Sequence, residues 1–507
     1  MENNFLFSEK EVEFLNFRLI RNPNSPSHIF LMKPNTTEYP LSRKVLSGEA
    51  FSGEPNMVQK KPNASLPPIV PGWPLVGNLL QLNVKRPQKT FTKWAEIYGP
   101  IYSIKTGATT LVIVNGTDVA KEATVTRFSS MSQKKLSNAI EILTSNKSMV
   151  VMSDYNEFYK RAKRNLILGF LSPNAQKGFR VRRDTMIRNI VQTLHNLSTA
   201  KPDQPIVIKP IMQKEIFGVA LKQLGAKFSR DELFEMLVIA PLVAVIDVDW
   251  RDFFPYLRWV PFKTMQKRIK QVNQRSKAVV KALIEQQKIR IASGEVLDSF
   301  TDFLLSKPQQ FTEEEMHMLV WEPIIGTSNT TVVTTEWAIY ELAKNKDCQN
   351  RLYGEIQSVC GYEKITEEHL PQLSYLNAVF HETIRKHSPV PILPPIYAHE
   401  DSSLGGYHIP AGSEIVVNIY GCNMDKKYWN EPETWKPERF LSSQYESMDM
   451  FKTMGFTMTI SCMAIGTFVQ EFLWSLKEGQ SEEVDTIKLT SHRLHPLETF
   501  IEPRKFC

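Results

Sequence analysis

Apolar positions recur along this chain with two different periods, and the switch between them locates its elements. Residues Ile101–Lys105 and Thr110–Val114 alternate apolar and polar, which predicts a pair of strands. From about residue 155 to 385 the spacing is mainly three and four, so this stretch should be helical. Thr312 and Glu315 form a capping box ahead of an apolar-periodic run. The helix they start should pass through Trp321 and Ile325 and reach Leu342. Pro323 lies inside it, lacks an amide donor, and should kink it locally. A second helix is expected over about Pro371 to Lys386, where Pro389, Pro391, Pro394 and Pro395 then break the chain. A β-like stretch comes next, with Gly405-Gly406 and Pro410-Ala411-Gly412 as turn signals. One more helix is expected over about Thr457 to Leu476.

Residues 1–60 are rich in Asn, Ser and Pro with weak periodicity, and read as a loose lead. Prolines 62, 67, 68, 71 and 74 fix φ and remove donors, so residues 61–80 read as a stiff extended hinge. No Gly/Ser-rich or charge-run linker interrupts the chain beyond the hinge, so residues 81–507 are expected to form one large domain, mainly α with small β-sheets. No fixed-period repeat stands out. The longest apolar run, Met236 to Ile246, has 11 residues and contains Pro241. A membrane span needs about 20. Glu2, Glu9, Glu11 and Glu13 suit neither a signal nor a transit peptide.

The 61 basic and 54 acidic residues are interspersed, which argues against a nucleic-acid stripe. The resulting +7 suits a solvated surface, an acidic partner or an anionic membrane. Five cysteines, without a C-x-x-C pair, predict no disulfide framework and a reducing environment.

Glu382 and Arg385 stand at i and i+3 on the second helix and can pair there. About 50 residues on come Trp429-Asn430-Glu431-Pro432 and Trp435-Lys436-Pro437-Glu438-Arg439-Phe440. Arg439 could join the first pair and lock two distant segments through forked hydrogen bonds. Hinge, E-x-x-R and P-E-R-F in this order and spacing resemble a eukaryotic cytochrome P-450, over about residues 62–505. The resemblance is closer to plant ent-kaurene oxidases. It is carried by Thr126-Arg127-Phe128-Ser129-Ser130, by the run from Val248 to Pro255, by Thr334-Thr335-Glu336-Trp337-Ala338, by Tyr407 to Gly412 and by Ile419 to Asp425.

The resemblance implies the cytochrome P-450 fold, haem b as cofactor, electrons from an NADPH-cytochrome P-450 reductase, and stepwise oxidation of an apolar diterpene, ent-kaurene, to ent-kaurenoic acid for gibberellin synthesis. It implies a structural role for Glu382, Arg385 and Arg439, and a cytosol-facing place at the endoplasmic reticulum or plastid outer envelope; the interspersed charges add the expectation of no nucleic-acid partner. With no span visible, membrane contact would be peripheral, through apolar patches.

Against that family pattern this chain departs at the expected site. The family holds iron by a thiolate from a loop of the form F-x-x-G-x-R-x-C-x-G. That loop should begin near Phe456, but Phe456-Thr457-Met458-Thr459-Ile460-Ser461-Cys462 has neither the glycines nor the arginine. The text suggests a deletion of the loop, and Cys462, in apolar helical surroundings, is a weak substitute ligand. Cys422 matches a family cysteine that is not the ligand. On the distal side Thr330 keeps the family's alcohol, whereas Asn329 replaces the acid that delivers protons. Ile396 stands where a propionate-binding arginine is expected. Tyr159 with Lys163, flanked by Lys160 and Arg164, matches an aromatic–basic helix that supplies propionate contacts; Lys163 and Arg164 are the candidates. Three readings stay open: an active monooxygenase, a haem-deficient paralogue keeping the fold and an apolar pocket, and a mis-spliced gene product.

Overall fold

A computed structural model describes residues 65–82, 86–226, 233–241, 250–257, 259–260, 263–307, 310–442, 455–485 and 490–504. The expected loose lead 1–60, part of the Val248–Pro255 motif and Cys507 lie outside them. The described residues contain nine helices of ten residues or more: α1 (Pro87–Tyr98), α2 (Glu157–Leu166), α3 (Pro173–Ala200), α4 (Ile208–Gln223), α5 (Lys263–Ala292), α6 (Glu313–Lys344), α7 (Lys346–Cys360), α8 (Ser374–His387) and α9 (Gly455–Glu471). Helix α6 is the axis of the core and packs against α4, α8 and α9. It is buried almost all round, as a central helix must be when apolar residues cover its whole circumference. The Thr312–Glu315 capping box starts it: the Thr312 hydroxyl accepts from the Glu315 amide at 3.2 Å, and the Glu315 carboxylate from the Thr312 amide at 2.9 Å. Helical structure continues past Pro323 to Lys344.

The sheets are small. β1 (Ile101–Thr106) and β2 (Thr109–Val114) form the expected hairpin, joined on the far side of β2 by β4 (Glu414–Val417) in parallel and then by β3 (Ile396–Tyr397). The hinge lies on β1, with Ile69 bridged to Ser103 and Gly77 turned back on Trp73. Gly77 has φ of +65°, and a Cβ there would meet the Lys105 carbonyl at 2.3 Å, so only glycine fits.

Two boundaries differ from the sequence expectation. The last helix ends at Glu471, and Phe472–Leu476 is strand β5, paired antiparallel with β6 (Glu498–Pro503). Alternation decides it: Phe472 and Trp474 are buried, and β6 supplies the ladder. Helix α8 starts at Ser374, after a 3-10 turn at Leu370–Gln372, because Glu355 of α7 accepts from the Tyr375 and Leu376 amides at 2.6 and 3.0 Å. That carboxylate caps α8 from another helix, where local sequence carries no signal.

Candidate functional site

A cavity of about 260 Å³ opens between the segment around Phe128, the turn at Val150–Met152, helix α2 and the Leu393–Ile396 stretch. Phe128, Val150, Val151, Leu393, Pro394 and Ile396 give it apolar walls. Two ammonium groups, on Lys134 and Lys163, also line it, together with Tyr159, and no carboxylate does. Lys163 donates to the Tyr159 hydroxyl at 3.1 Å, and burial lowers its pKa. Lys134 is pushed down to about 8 by burial, against the opposing pull of Asp154. An apolar slot that also carries two lysines suits a ligand with an apolar body and an anionic group.

The structure separates the two basic candidates of α2. Lys163 faces the cavity, whereas Arg164 is exposed and absent from its lining. An α-helix advances about 100° per residue, so neighbours cannot share a face. Lys160 is exposed and pairs with Glu157 at 2.7 Å. Lys134 carries no signal in the sequence: it comes from outside any recognisable motif and becomes a lining residue only through folding. Ile396 contributes an apolar wall where an arginine is expected.

On α6, Thr330 is buried and its hydroxyl donates back to the Gly326 carbonyl at 2.9 Å. Ser328 and Thr334 bond back the same way, to Ile324 and Thr330. The Asn329 amide donates to the Thr490 hydroxyl at 2.9 Å, tying α6 to the chain before β6. An amide so placed is a structural donor and cannot shuttle a proton by ionising. Glu322, two turns earlier, has no signature in the sequence either: its buried carboxylate accepts from the Val150 and Val151 amides at 2.8 and 2.9 Å. Burial raises its pKa to about 7, with those two amides pulling the other way.

Glu382, Arg385 and Arg439 meet in the interior. Arg385 donates twice to Glu382, both at 2.7 Å, and also to the Asn423 and Pro432 carbonyls at 3.0 and 2.8 Å. Arg439 reaches Glu382 at 3.3 Å and bonds the Glu431 carbonyl at 2.7 Å. The Lys436 amide adds a bond to Glu382 at 2.8 Å. Thus α8 is riveted to the P-E-R-F segment by groups whose charges and donors all have partners.

The family's haem can be tested against these residues. The cationic, apolar cavity suits its carboxylate end. The iron end does not fit. Cys462 sits inside α9, 1% exposed, with its sulfur 4.0 Å from the Asn377 side-chain oxygen. Burial raises its pKa well above the usual thiol range, so the thiolate that binds iron is disfavoured. Cys422 is buried among the apolar residues of β2 and β4, and burial raises its pKa likewise. Neither these nor Cys348 and Cys360 line the cavity. Of the histidines near α8, His387 stacks on Trp337 at 3.8 Å and contacts Glu341 at 2.6 Å, a satisfied packing role.

Comparison with known proteins agrees with the frame. The family model for Cytochrome P450 matches residues 67–458. An Ent-kaurene oxidase of Salvia miltiorrhiza is 51% identical over 474 residues, covering 88% of this chain and 91% of that protein. Ent-kaurene oxidase 2 of Oryza sativa subsp. japonica is 49% identical, covering 88% and 93%. An Ent-sandaracopimaradiene 3-hydroxylase of the same rice is 45% identical, covering 87% and 92%. Among solved structures, a zebra fish cytochrome P450 with progesterone superposes with a TM-score of 0.69 at 19% identity, covering 82% of this chain and 99% of that one, which establishes the fold. The chain belongs to the cytochrome P450 family, whose members are oxygen-dependent monooxygenases.

Proposed function

We propose that this chain is an ent-kaurene oxidase-type protein whose ligand is an apolar diterpene hydrocarbon. The supporting observation is the 51% identity to an Ent-kaurene oxidase across 91% of that protein. In such an enzyme one methyl group is oxidised stepwise to a carboxylic acid, using O₂ and electrons from an NADPH-dependent reductase. Haem supplies the oxygen chemistry in this family. What this chain's own residues contribute is the surrounding frame: apolar walls that exclude water, Lys134 and Lys163 that would face the haem carboxylates, and the Glu382–Arg385–Arg439 lock. Its domain layout is hinge 61–80 followed by one catalytic-type domain, 81–507.

The burial of Cys462 favours a second element of this reading: the chain as written keeps the frame without thiolate ligation, and oxygen insertion is absent from it. Expression with a plant reductase tests both parts. Thiolate ligation gives reduced haem proteins a red-shifted carbon-monoxide difference band. The chain should show none and should leave ent-kaurene unchanged. Such a band would overturn the ligand-loss reading, and ent-kaurene failing to bind would overturn the substrate reading. No described helix is long and apolar enough to cross a membrane. Peripheral attachment at the endoplasmic reticulum or plastid envelope is supported by exposed Trp73, Leu75 and Trp259, 61%, 84% and 79% accessible. Flotation with anionic vesicles checks it.

A further inference from the structure

We propose that the cavity beside α2 is a binding site for a free apolar monocarboxylic acid, whose carboxylate is received by Lys134, Lys163 and the Tyr159 hydroxyl and whose body lies against Val150, Val151 and Leu393. This rests on the ligand-loss reading above and names what the site takes. The family's haem offers carboxylates on an apolar ring, and only that end of it meets suitable residues here. With no sulfur for the iron, what these residues can still recognise is an acid with an apolar body. Ile396 puts a hydrocarbon wall where an arginine is expected, which extends the apolar part.

The polar groups of the lining leave donors uncommitted rather than acceptors. The Thr124 and Ser153 hydroxyls donate to the Ala120 and Val150 carbonyls at 2.7 and 3.0 Å. Lys163 gives one proton to the Tyr159 oxygen at 3.1 Å, which leaves the Tyr159 proton and two ammonium protons for another acceptor. Lys134 is held through its backbone: its amide donates to Asp154 at 2.7 Å and its carbonyl accepts from the Lys147 ammonium at 2.6 Å. Nearby carboxylates are taken. Asp154 also accepts from the Lys147 ammonium at 2.8 Å, and Glu322 accepts from the Val150 and Val151 amides. Among the described residues neither Lys134 nor Lys163 has an ion-pair partner. Burial lowers the pKa of both, the behaviour of an ammonium drawn out of water without a counter-ion. An incoming carboxylate brings that counter-charge and acceptor oxygens for three donors, and a neutral hydrocarbon brings neither. The volume of about 260 Å³ is just under the roughly 300–1,000 Å³ of drug-sized pockets, which favours a slender body.

The test is calorimetric titration of the full chain with decanoate, 1-decanol and ent-kaurenoic acid at neutral pH, repeated on Lys134→Met, Lys163→Met and Lys160→Met. Decanoate should bind at least about tenfold more tightly than decanol, the scale of a charge-assisted bond over a neutral one. Lys134→Met and Lys163→Met should each weaken decanoate about tenfold and leave decanol nearly unchanged. Lys160 is exposed on the same helix and absent from the lining, so Lys160→Met should change neither. Decanol binding as tightly as decanoate to the unaltered chain would overturn the anion site, whatever the variants do. An equal loss from Lys160→Met would reduce the effect to surface charge and overturn it as well. Ent-kaurenoic acid separates the sources: binding of both acids assigns the site to apolar acids generally, and binding of decanoate alone assigns it to slender chains. A carbon-monoxide difference spectrum of the same preparation keeps the two readings apart. A red-shifted band would overturn the ligand-loss reading and the free-acid site together; a band-free chain that binds neither acid would overturn the site alone.

Discussion

Two neighbouring parts of this molecule, the lock around Glu382 and the helix around Cys462, bury polar side chains to opposite effect. In the lock, Glu382 and Arg385 are wholly buried and every charge is met by a partner. Around Cys462 the sulfur is equally buried, but its surroundings are core, with one distant contact to Asn377. The lock belongs to the frame and survives because removing either partner strands a charge in low dielectric. The cysteine belongs to packing, where a thiol is only a small apolar group. Burial of a polar side chain therefore marks a lock in one place and ordinary packing in the other.

The largest expected effect comes from supplying the thiolate loop that the proposed ligand-loss reading says this chain lacks. Inserting a loop of the form F-x-x-G-x-R-x-C-x-G between Phe456 and Met463 should create the carbon-monoxide difference band outright, and replacing the inserted cysteine alone should abolish it. If the band appears without the insertion, the contrast between lock and helix is wrong.

Next is the lock itself. Arg385→Ala leaves Glu382 buried without its main partner and should cost on the order of 3–5 kcal/mol in urea unfolding. A loss below about 1 kcal/mol, the level of an exposed pair, would mean that the lock is not what holds α8 to the P-E-R-F segment.

A smaller effect should come from pH. Burial places the folded pKa of Glu322 at about 7, above its usual 4.5. Between those values the folded state binds more protons than the unfolded state, so stability rises as pH falls. The penalty is fully present above pH 7 and is gone below 4.5. Measured against Glu322→Gln, the unaltered chain should gain stability as pH falls from about 7 to about 4.5; a flat difference would remove the raised pKa from the account.

Least of all, Cys462→Ala should cost about 1 kcal/mol, the scale of deleting one small buried group, with no change in visible absorption. A spectral change would promote Cys462 from core residue to ligand.

The sequence was most informative where the signal is local. The β1–β2 hairpin, the capped start of α6, and the pairing of Glu382 with Arg385 rest on neighbours two, three or four residues apart, and those spacings survive folding. The absence of a glycine-rich ligand loop is likewise written in residues 456–462. What the tertiary structure alone decided depends on distant partners. Strand β5 exists because β6 pairs with it, α8 starts where Glu355 caps it, and Lys163 rather than Arg164 faces the cavity because of how α2 is turned. Lys134 and Glu322 join the site by the same route, the latter across 172 residues to Val150. One-dimensional spacing reports which residues share a turn or a face; only packing brings a carboxylate to two amides on the far side of the chain.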